Sequence, residues 1–546
     1  MADTLQPAGA ITNGHTEVPA VIKPAAAWRP QFNPWLIAVI VALAAFMEVL
    51  DTSIANVALP YMAGNLGVSN DESTWVLTSY LVSNAIVLPI SGWLVTVVGR
   101  KRLFMICLLI FTVSSLLCGI APSLGALILF RVLQGAGGGG LQPLAQSILA
   151  DSFPPEKRGI AFAVYGITVI VAPTVGPTLG GWITDSYSWR WIFFINLPVG
   201  ILALLLVFQF VDDPPWAHRV KDALARVDYV GIALLTVGVG ALQVMLDKGQ
   251  EDDWFGSNFI VTLTVIATVC LTALVFCEWR SREPIVDVRL FKNGNFAAAN
   301  MMMFMVGAIS FASTVLMPQF LQTLMGYTAQ KAGMVMSAAA LVLLLELPLV
   351  GQLTTHFQSR HLIAFGWLAL TVTMYLSTKR IDLEMSFQSA TWLRILQYFP
   401  LGFIFIPAST AAYNGIPGEK NNAVAALVNF TRNIGSSVGT SVVTTMLARR
   451  SQLHQDRLVE RANRINPGFQ AAINGLAQQL AHGGMNWVDA EKHAMARFYA
   501  DLRAQATALA YLDTYLALAV AAALMFLLSF TLRKNDPRAA GKVVAH

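Results

Sequence analysis

A chain of 546 residues that is 55% hydrophobic, 12% charged and has a mean hydropathy of +0.59 is too apolar and too poor in charge for a soluble globular protein. Its 36 basic and 31 acidic side chains nearly balance, and no nucleic-acid partner is expected. The 4 cysteines, Cys107, Cys118, Cys270 and Cys277, lie inside apolar runs without metal-ligand spacing; they read as small buried hydrophobes, and no metal is expected.

Residues 1–34 are rich in Ala and Pro, lack the basic-then-apolar pattern of a signal peptide, and read as a cytoplasmic tail. A helix needs roughly 20 apolar residues to cross a bilayer. Fourteen segments qualify: 35–58, 73–98, 103–121, 124–150, 159–183, 190–211, 229–246, 258–277, 296–324, 329–352, 361–378, 389–413, 422–447 and 509–532. The first contains the run from Leu50 to Pro60, with Asp51 and Asn56, and Glu48 three residues before Asp51 on nearly the same face. An ionised carboxylate there costs about 2.5–3.5 kcal/mol on insertion scales, so Asp51 is expected to face the bundle interior, paired or protonated. The second span runs through Gly92 into Gly99-Arg100-Lys101-Arg102. The fourth carries Arg131, Gln134 and a glycine-rich run to Gly140, which reads as a packing face, since neither a preceding strand nor a following Lys-Ser/Thr makes it a phosphate loop. Counted from the outer ends of their spans, Asp51 and Arg131 are each roughly 10 Å deep, and Glu48 matches Gln134. The fifth span has Pro173, Gly176, Pro177, Gly180 and Gly181, small residues that admit a neighbouring helix and prolines that bend the span. Spans nine, ten and twelve supply Asn300, Met301 to Met303, Phe304, Gln319 and Gln322, then Glu346, then Arg394, Gln397 and Tyr398. These suggest an adaptable cavity of mixed polarity. The roughly sixty residues at 448–508 are far longer than the median connection of about five and read as a loop outside the membrane, with Ile473, Leu476 and Leu480 at helical intervals beside Arg449, Arg457, Arg461 and Arg464.

The chain repeats itself. Arg131-Val132-Leu133-Gln134 recurs as Arg394-Ile395-Leu396-Gln397, and Pro154-Pro155-Glu156-Lys157 as Pro417-Gly418-Glu419-Lys420, both 263 residues on. Leu88 to Gly92 likewise matches Leu347 to Gly351. Parallel repeats of several spans each are the architecture of secondary transporters, with the substrate site at the repeat interface. The expected fold is therefore an all-α membrane protein: a six-helix bundle at 35–211, a linker at 212–228, an inserted pair at 229–277, a linker at 278–295, and a second six-helix bundle at 296–532 followed by a tail at 533–546. Basic clusters at Arg100 to Arg102, Lys157-Arg158, Arg219/Lys221/Arg226, Arg280/Arg282/Arg289/Lys292 and Arg533-Lys534 fall on one side, which marks it as cytoplasmic with both termini there. Arg449-Arg450 falls on the other side.

Leu50-Asp51 through Asn56-Val57-Ala58 and Pro60, Arg131 with Gln134-Gly135, Gly176-Pro177 with Gly180-Gly181, the run Trp189 to Pro198 and the run Pro284 to Phe291 together resemble the major facilitator superfamily. Within it the chain is similar to the fourteen-span drug:proton antiporters of the EmrB type in Gram-negative bacteria. The resemblance implies two six-helix bundles plus two inserted helices and export of amphipathic toxic compounds across the bacterial inner membrane. The proton gradient is the driving force, without a cofactor. Intramembrane Asp51, Arg131 and Glu346, on different spans, suit proton-linked exchange and form the expected proton-coupling set. The resemblance further implies the span-five motif as an antiport element, and a tripartite pump with a periplasmic membrane-fusion adaptor of the EmrA type and an outer-membrane channel of the TolC type. One departure is that Thr96 and Val97 stand where the family's loop has Asp and Arg, which puts a charged latch between the halves in doubt. An exporter of one endogenous metabolite, such as a siderophore or fatty acid, would share every motif. A membrane-embedded transferase would need a His/Asp or His/Cys constellation at a membrane face, and the sequence has none.

Overall fold

The computed structural model describes residues 30–214, 228–281, 284–460, 462–463 and 466–532. The tail before residue 30, the linker charges Arg219, Lys221 and Arg226, the arginines Arg282, Arg461 and Arg464, and the tail with Arg533 and Lys534 lie outside the described residues. In chain order the helices are α1 (Pro34–Leu66), α2 (Asn70–Ser73), α3 (Trp75–Val98), α4 (Arg100–Gly119), α5 (Leu124–Ser152), α6 (Arg158–Gly166), α7 (Ala172–Ser186), α8 (Trp191–Phe194) and α9 (Asn196–Phe210). There follow α10 (Tyr229–Lys248), α11 (Asn258–Arg280), α12 (Gly294–Thr323), α13 (Ala329–His356), α14 (Ser359–Arg380), α15 (Phe387–Ala412), α16 (Asn421–Val459), α17 (Pro467–His482) and α18 (Trp487–Ser529). No strand occurs among the described residues.

Local chemistry sets the ends. Asn33 caps α1 by accepting the Trp35 amide at 2.9 Å, with Pro34 in the first turn where its missing N–H costs nothing. Ser69 and Glu72 form a reciprocal capping box at α2 that satisfies two otherwise orphaned amides. Gly99, at φ +91, separates α3 from α4 in a conformation that a side chain would strain.

Among the described residues twelve helices are long and apolar enough to cross a membrane, with a thirteenth if the bent pair of α6 and α7, joined by a π turn at Ile167–Val171, counts as one span. The fourteenth expected span is α16, which lacks that apolarity because Asn421, Asn429, Arg432 and Asn433 and a series of hydroxyls interrupt it. It packs against α12, α18, α3 and α5, so protein surrounds it on several sides. The described residues of 448–508 are mostly helical. They comprise the end of α16, α17 and the first half of α18, with a small core of Ile473 and Ala477 against Ala490 and Ala494. A hydrogen bond between the Ser451 and Thr507 hydroxyls and one from Gln455 to Tyr499 tie the flanking helices together.

Two halves of six spans emerge, α1 to α9 and α12 to α18; the repeated tetrads Pro154 to Lys157 and Pro417 to Lys420 form equivalent short turns leading into α6 and α16. The halves meet along α3 and α5 with α16, and along α6 and α7 with α13. These seams depend on small residues: a Cβ on Gly92 would lie 3.4 Å from the Ala423 backbone, and one on Gly351 would lie 2.9 Å from that of Ile160. The inserted pair sits outside the bundles, α10 lying along α3 and α16 with Gln243 bonded to Ser437 at 2.8 Å, and α11 resting on α10.

Inside the first half, the glycine-rich face of α5 admits two neighbours. A Cβ on Gly135 would lie 2.4 Å from the Tyr80 carbonyl oxygen, one on Gly139 2.6 Å from that of Asn84, and one on Gly137 2.6 Å from the Phe111 amide. Gly135→Val is therefore expected to cost about 1–3 kcal/mol through overpacking and to lower the thermal unfolding midpoint of the purified protein. An unchanged midpoint would mean that α3 and α5 stand further apart than this.

Candidate functional site

The first polar cluster grows from α1 and α5. Asp51 and Arg131 are both buried, and Arg131 donates Nη1 to Asp51 Oδ2 at 2.6 Å and to Gln134 Oε1 at 2.8 Å. Gln134 returns Nε2 to Asp51 Oδ1 at 3.0 Å, and Asn196, at the start of α9, donates to the same oxygen at 2.6 Å. Asn196 also donates to Ser115 on α4 at 3.0 Å, so α5 and α9 hold the carboxylate of α1 and α4 steadies Asn196 behind it. The Arg131 guanidinium lies 4.3 Å over the Tyr80 ring, and its Nε donates to the Val76 carbonyl at 3.1 Å. The expected Asp51–Arg131 contact is present, and Asn196 is a partner that sequence reasoning missed.

Glu48 belongs to a separate cluster one turn away. Its Oε1 accepts from Tyr80 at 2.7 Å and Asn84 at 3.0 Å, and its Oε2 accepts from Gln142 at 2.5 Å. Gln142 Oε1 in turn accepts from Arg432 on α16, in the other half. Beside this link Tyr165 donates to Asn429 at 2.7 Å and Asn429 donates to Gln146 at 2.5 Å. A chain of polar side chains thus runs from α1 across the seam, and none of Gln142, Tyr165, Asn429 or Arg432 was among the residues expected at the site. The available signal was the three-residue spacing of Asn429 and Arg432, which puts both on one face of α16.

In the second half Arg394 donates Nη1 to the Ser313 carbonyl at 3.0 Å and hydroxyl at 2.6 Å, and to Gln397 at 3.2 Å, with Nη2 to Thr314 at 3.2 Å. The arginine and glutamine of the repeat are retained, and hydroxyls stand where the first half has Asp51. Glu346 does not join the Asp51–Arg131 cluster. It is buried on α13 beside Gly402, and neither carboxylate oxygen has a partner among the described residues.

Between the halves lies a narrow cleft with a cavity volume of about 20 Å³, about the room one water needs. The junction of α6 and α7, α12 and α15 line it, with Arg432. Of the expected liners Tyr398 reaches it, and so does Pro173 of the span-five motif. Gln397 bonds Ser377 behind it, at 2.9 Å, Asn300 bonds its own helix at the Phe296 carbonyl, and Phe304 packs its backbone against Gly435. Asn56, Gln319 and Gln322 are exposed and outside the cleft lining. Met302 and Met303 are buried, whereas Met301 is exposed.

In the span-five motif, Gly176 and Gly180 face α1, where their Cβ atoms would lie 2.3 Å from Ser53 Oγ and 3.0 Å from Ile54. Ser53 donates to the Pro173 carbonyl at 2.9 Å. Pro177 lies half-buried within α7, and Gly181 has no close neighbour. At the other end of the halves, Arg100 is buried and paired with Asp151 at 2.5 Å, and Asp151 accepts from Asn421 of α16 at 2.5 Å. This bond crosses the seam although Thr96 and Val97 replace the family's charges. Among the described residues no group of three or more His, Cys, Asp and Glu could hold a metal ion.

Paired six-span halves around an internal cleft with buried polar clusters define a membrane transporter. Residues 41–440 match the family model described as Major Facilitator Superfamily. The multidrug export protein EmrB of Escherichia coli strain K12 is 40% identical over 453 residues, 82% of this chain and 88% of that protein. The fatty acid resistance protein FarB of Neisseria gonorrhoeae is 39% identical over 446 residues, 81% of this chain and 86% of that protein. The solved structure of the proton:xylose symporter XylE bound to 6-bromo-6-deoxy-D-glucose shares the fold with a TM-score of 0.59 at 14% identity, covering 92% of this chain and 97% of that one. This chain belongs to the major facilitator superfamily and, within it, to the EmrB group of transporters.

Breaking one side of a buried ion pair strands the other charge, so Arg131→Ala is expected to cost about 3–5 kcal/mol. Adding Asp51→Asn should restore part of that loss, because the stranded charge is then gone. Strictly additive losses in equilibrium unfolding would show that the two side chains do not interact.

Proposed function

We propose that this protein is a proton-coupled antiporter that exports amphipathic drugs and toxic compounds from the cytoplasm or inner leaflet across the bacterial inner membrane. The carrying observation is the 2.6 Å pair of Asp51 with Arg131, buried where α1 meets α5 and α9. A carboxylate that balances an arginine against desolvation exchanges that partner for a proton when its surroundings change. Ser53, two residues along α1, holds the carbonyl of Pro173, which lines the cleft, so a shift of α1 at Asp51 is passed to the substrate cavity. Glu48 and Glu346 are the further carboxylates in this scheme: Glu48 connects to the cleft through Gln142, and Glu346 has no counter-ion among the described residues. The cytoplasmic end is the one with Arg100, in accord with its basic loops.

The helical extension formed by the end of α16, α17 and the start of α18 is the docking element for a periplasmic adaptor, which passes substrate to an outer-membrane channel. Its support is an exposed apolar row, Trp487, Val488, Met495 and Tyr499, on a segment with its own core. A second reading, export of one endogenous amphiphile such as a fatty acid, is favoured by the relation to a protein named for fatty acid resistance.

In inverted vesicles Asp51→Asn, which keeps the size of the side chain but cannot titrate, should abolish drug-dependent proton release while leaving insertion and ligand binding intact. Undiminished release would transfer the coupling role to Glu48 or Glu346. Replacing residues 460–486 with a short Gly/Ser linker keeps the pairing of Ser451 with Thr507 and should preserve vesicle transport while ending drug resistance in cells and capture of the adaptor. Cells that remain fully resistant would show that α17 has no docking role.

A further inference from the structure

The inserted pair is attached to both halves, and the two attachments differ in kind. On the side of the first half, Asp247 accepts from the Thr78 hydroxyl. Lys248, which is buried, donates Nζ to the Thr74 hydroxyl and to the Asp71 carbonyl at 3.4 Å, and lies 5.5 Å over the Trp75 ring. On the side of the second half, Gln243 bonds Ser437 of α16 at 2.8 Å, and Trp254, in the turn between α10 and α11, donates Nε1 to the Thr445 hydroxyl of α16 at 2.9 Å. Thr74, Thr78, Asp247, Trp254 and Thr445 all lie at the end of the bundle opposite Arg100, so this hairpin spans the outer mouth of the seam between α3 and α16.

Both bonds to the second half have a replacement within reach. Trp254 Nε1 also faces Gln250 Oε1 at 3.4 Å, on the hairpin itself, and Ser437 Oγ faces the Asn433 carbonyl at 3.4 Å, on α16. Parting from α16 therefore leaves neither the indole N–H nor the hydroxyl without an acceptor, which is what makes a lost hydrogen bond expensive. Parting from α3 would take a buried ammonium away from the hydroxyl, carbonyl and ring that receive it, with Glu251 as the partner it keeps. The packing agrees, since α10 lies more extensively along α3 than along α16. The turn itself is held under restraint: Asp253 and Trp254 have φ of 56° and 48°, left-handed values that residues other than glycine keep only where their surroundings impose them. We propose that this hairpin is a clasp across the outer mouth of the seam. The inserted pair travels with the first half, and its bonds to Thr445 and Ser437 part each time the outer ends of α3 and α16 separate as one half rocks against the other. A pair of helices outside both bundles thereby opposes outward opening and is released by partner exchange.

The test ties the hairpin to each half in turn. Cysteine pairs in the purified full chain are joined by a short bis-methanethiosulfonate linker that a reductant removes, and the unaltered chain with its 4 cysteines is the control for the reagent. After reconstitution, linking Trp254→Cys to Thr445→Cys should lower drug-dependent proton release by about tenfold or more, and reductant should restore it, because a step that cannot open halts the cycle. Linking Thr78→Cys to Asp247→Cys should leave release within about twofold of the same variant before linking. Undiminished release with 254 tied to 445, or lost release with 78 tied to 247, overturns the clasp. Spin-label distances supply a readout that needs no transported compound. From Phe255, exposed on the hairpin, the distance to Tyr187 in the first half should have one narrow distribution. The distance to Thr323 in the second half should be broad or two-peaked, and its longer part should grow when Trp254→Phe removes the N–H and keeps an aromatic ring. A distribution broader to Tyr187 than to Thr323 overturns the proposal. If no compound elicits proton release from the unlinked protein, the exporter reading falls, and these distances still decide the clasp.

Discussion

A bilayer interior offers no water to a charged or polar group, so each one has to be answered by another group of the protein. The architecture follows from how this chain meets that demand at its buried arginines. Two of them, Arg131 and Arg394, occupy equivalent places in the repeat, each with a glutamine one turn on that shares its Nη1. The first half answers with Asp51, reinforced by Asn196 from α9. The second answers with the hydroxyls and carbonyl of Ser313 and Thr314, a neutral ligand set. Replacing a buried ion pair with apolar side chains is often neutral or stabilising, so stability alone does not account for Asp51. The asymmetry between equivalent stations places the titratable partner in one half only.

The same demand shapes the seams. Where α3 and α5 meet α16, polar side chains cross at several levels: Asp151 with Asn421, Ser147 with Asn422 at 2.5 Å, Tyr165 and Gln146 with Asn429, and Gln142 with Arg432. The opposite seam of α6 and α7 with α13 is related by the repeat and relies on close approach of Gly159, Gly333 and Gly351, with a hydrogen bond of 2.9 Å between Thr178 and Ser337. A rocking motion of one half against the other therefore has to exchange hydrogen bonds along α16 and slide smooth glycine-lined surfaces along α13. Hydrogen bonds that can change partners, and glycine-lined contacts stepped by small side chains such as Thr178 and Thr354, both allow such motion.

Helix number, the two halves and the Asp51–Arg131 contact were legible in the sequence because they depend on period, repeat and depth along a helix. Azimuth was not legible. Glu48 and Gln134 sit at the same height, yet Gln134 turns to Asp51 while Glu48 turns to Tyr80, Asn84 and Gln142. Its charge within a span brought Glu346 into the expected coupling set, although it lies on α13 in the other half, outside the Asp51–Arg131 cluster. Helical intervals were legible at Ile473, Leu476 and Leu480, but Ile473 and Ala477 find a core only when α18 returns with Ala490 and Ala494, a pairing that no local pattern contains. Arg432 was missed because the repeat directed attention to Arg394, its counterpart in kind but not in position.

The polarity of α16 resolves two observations that otherwise stand apart, its failure to register as a membrane span and its place at the centre of the molecule. A helix facing lipid must be apolar around its exposed face, but α16 has α3, α5, α12 and α18 as its solvent over much of its circumference. Its glycines seat it against α12 so closely that a Cβ on Gly435 would lie 2.1 Å from the Phe304 carbonyl and one on Gly439 2.3 Å from that of Ala308. That contact fixes α16 within its own half and leaves its Asn421, Asn429 and Arg432 side free to bond across the seam. The apolar pattern expected of a spanning helix is thus replaced by two faces, one small and immobile, one polar and exchangeable, and it is the second that carries Arg432 into the cleft.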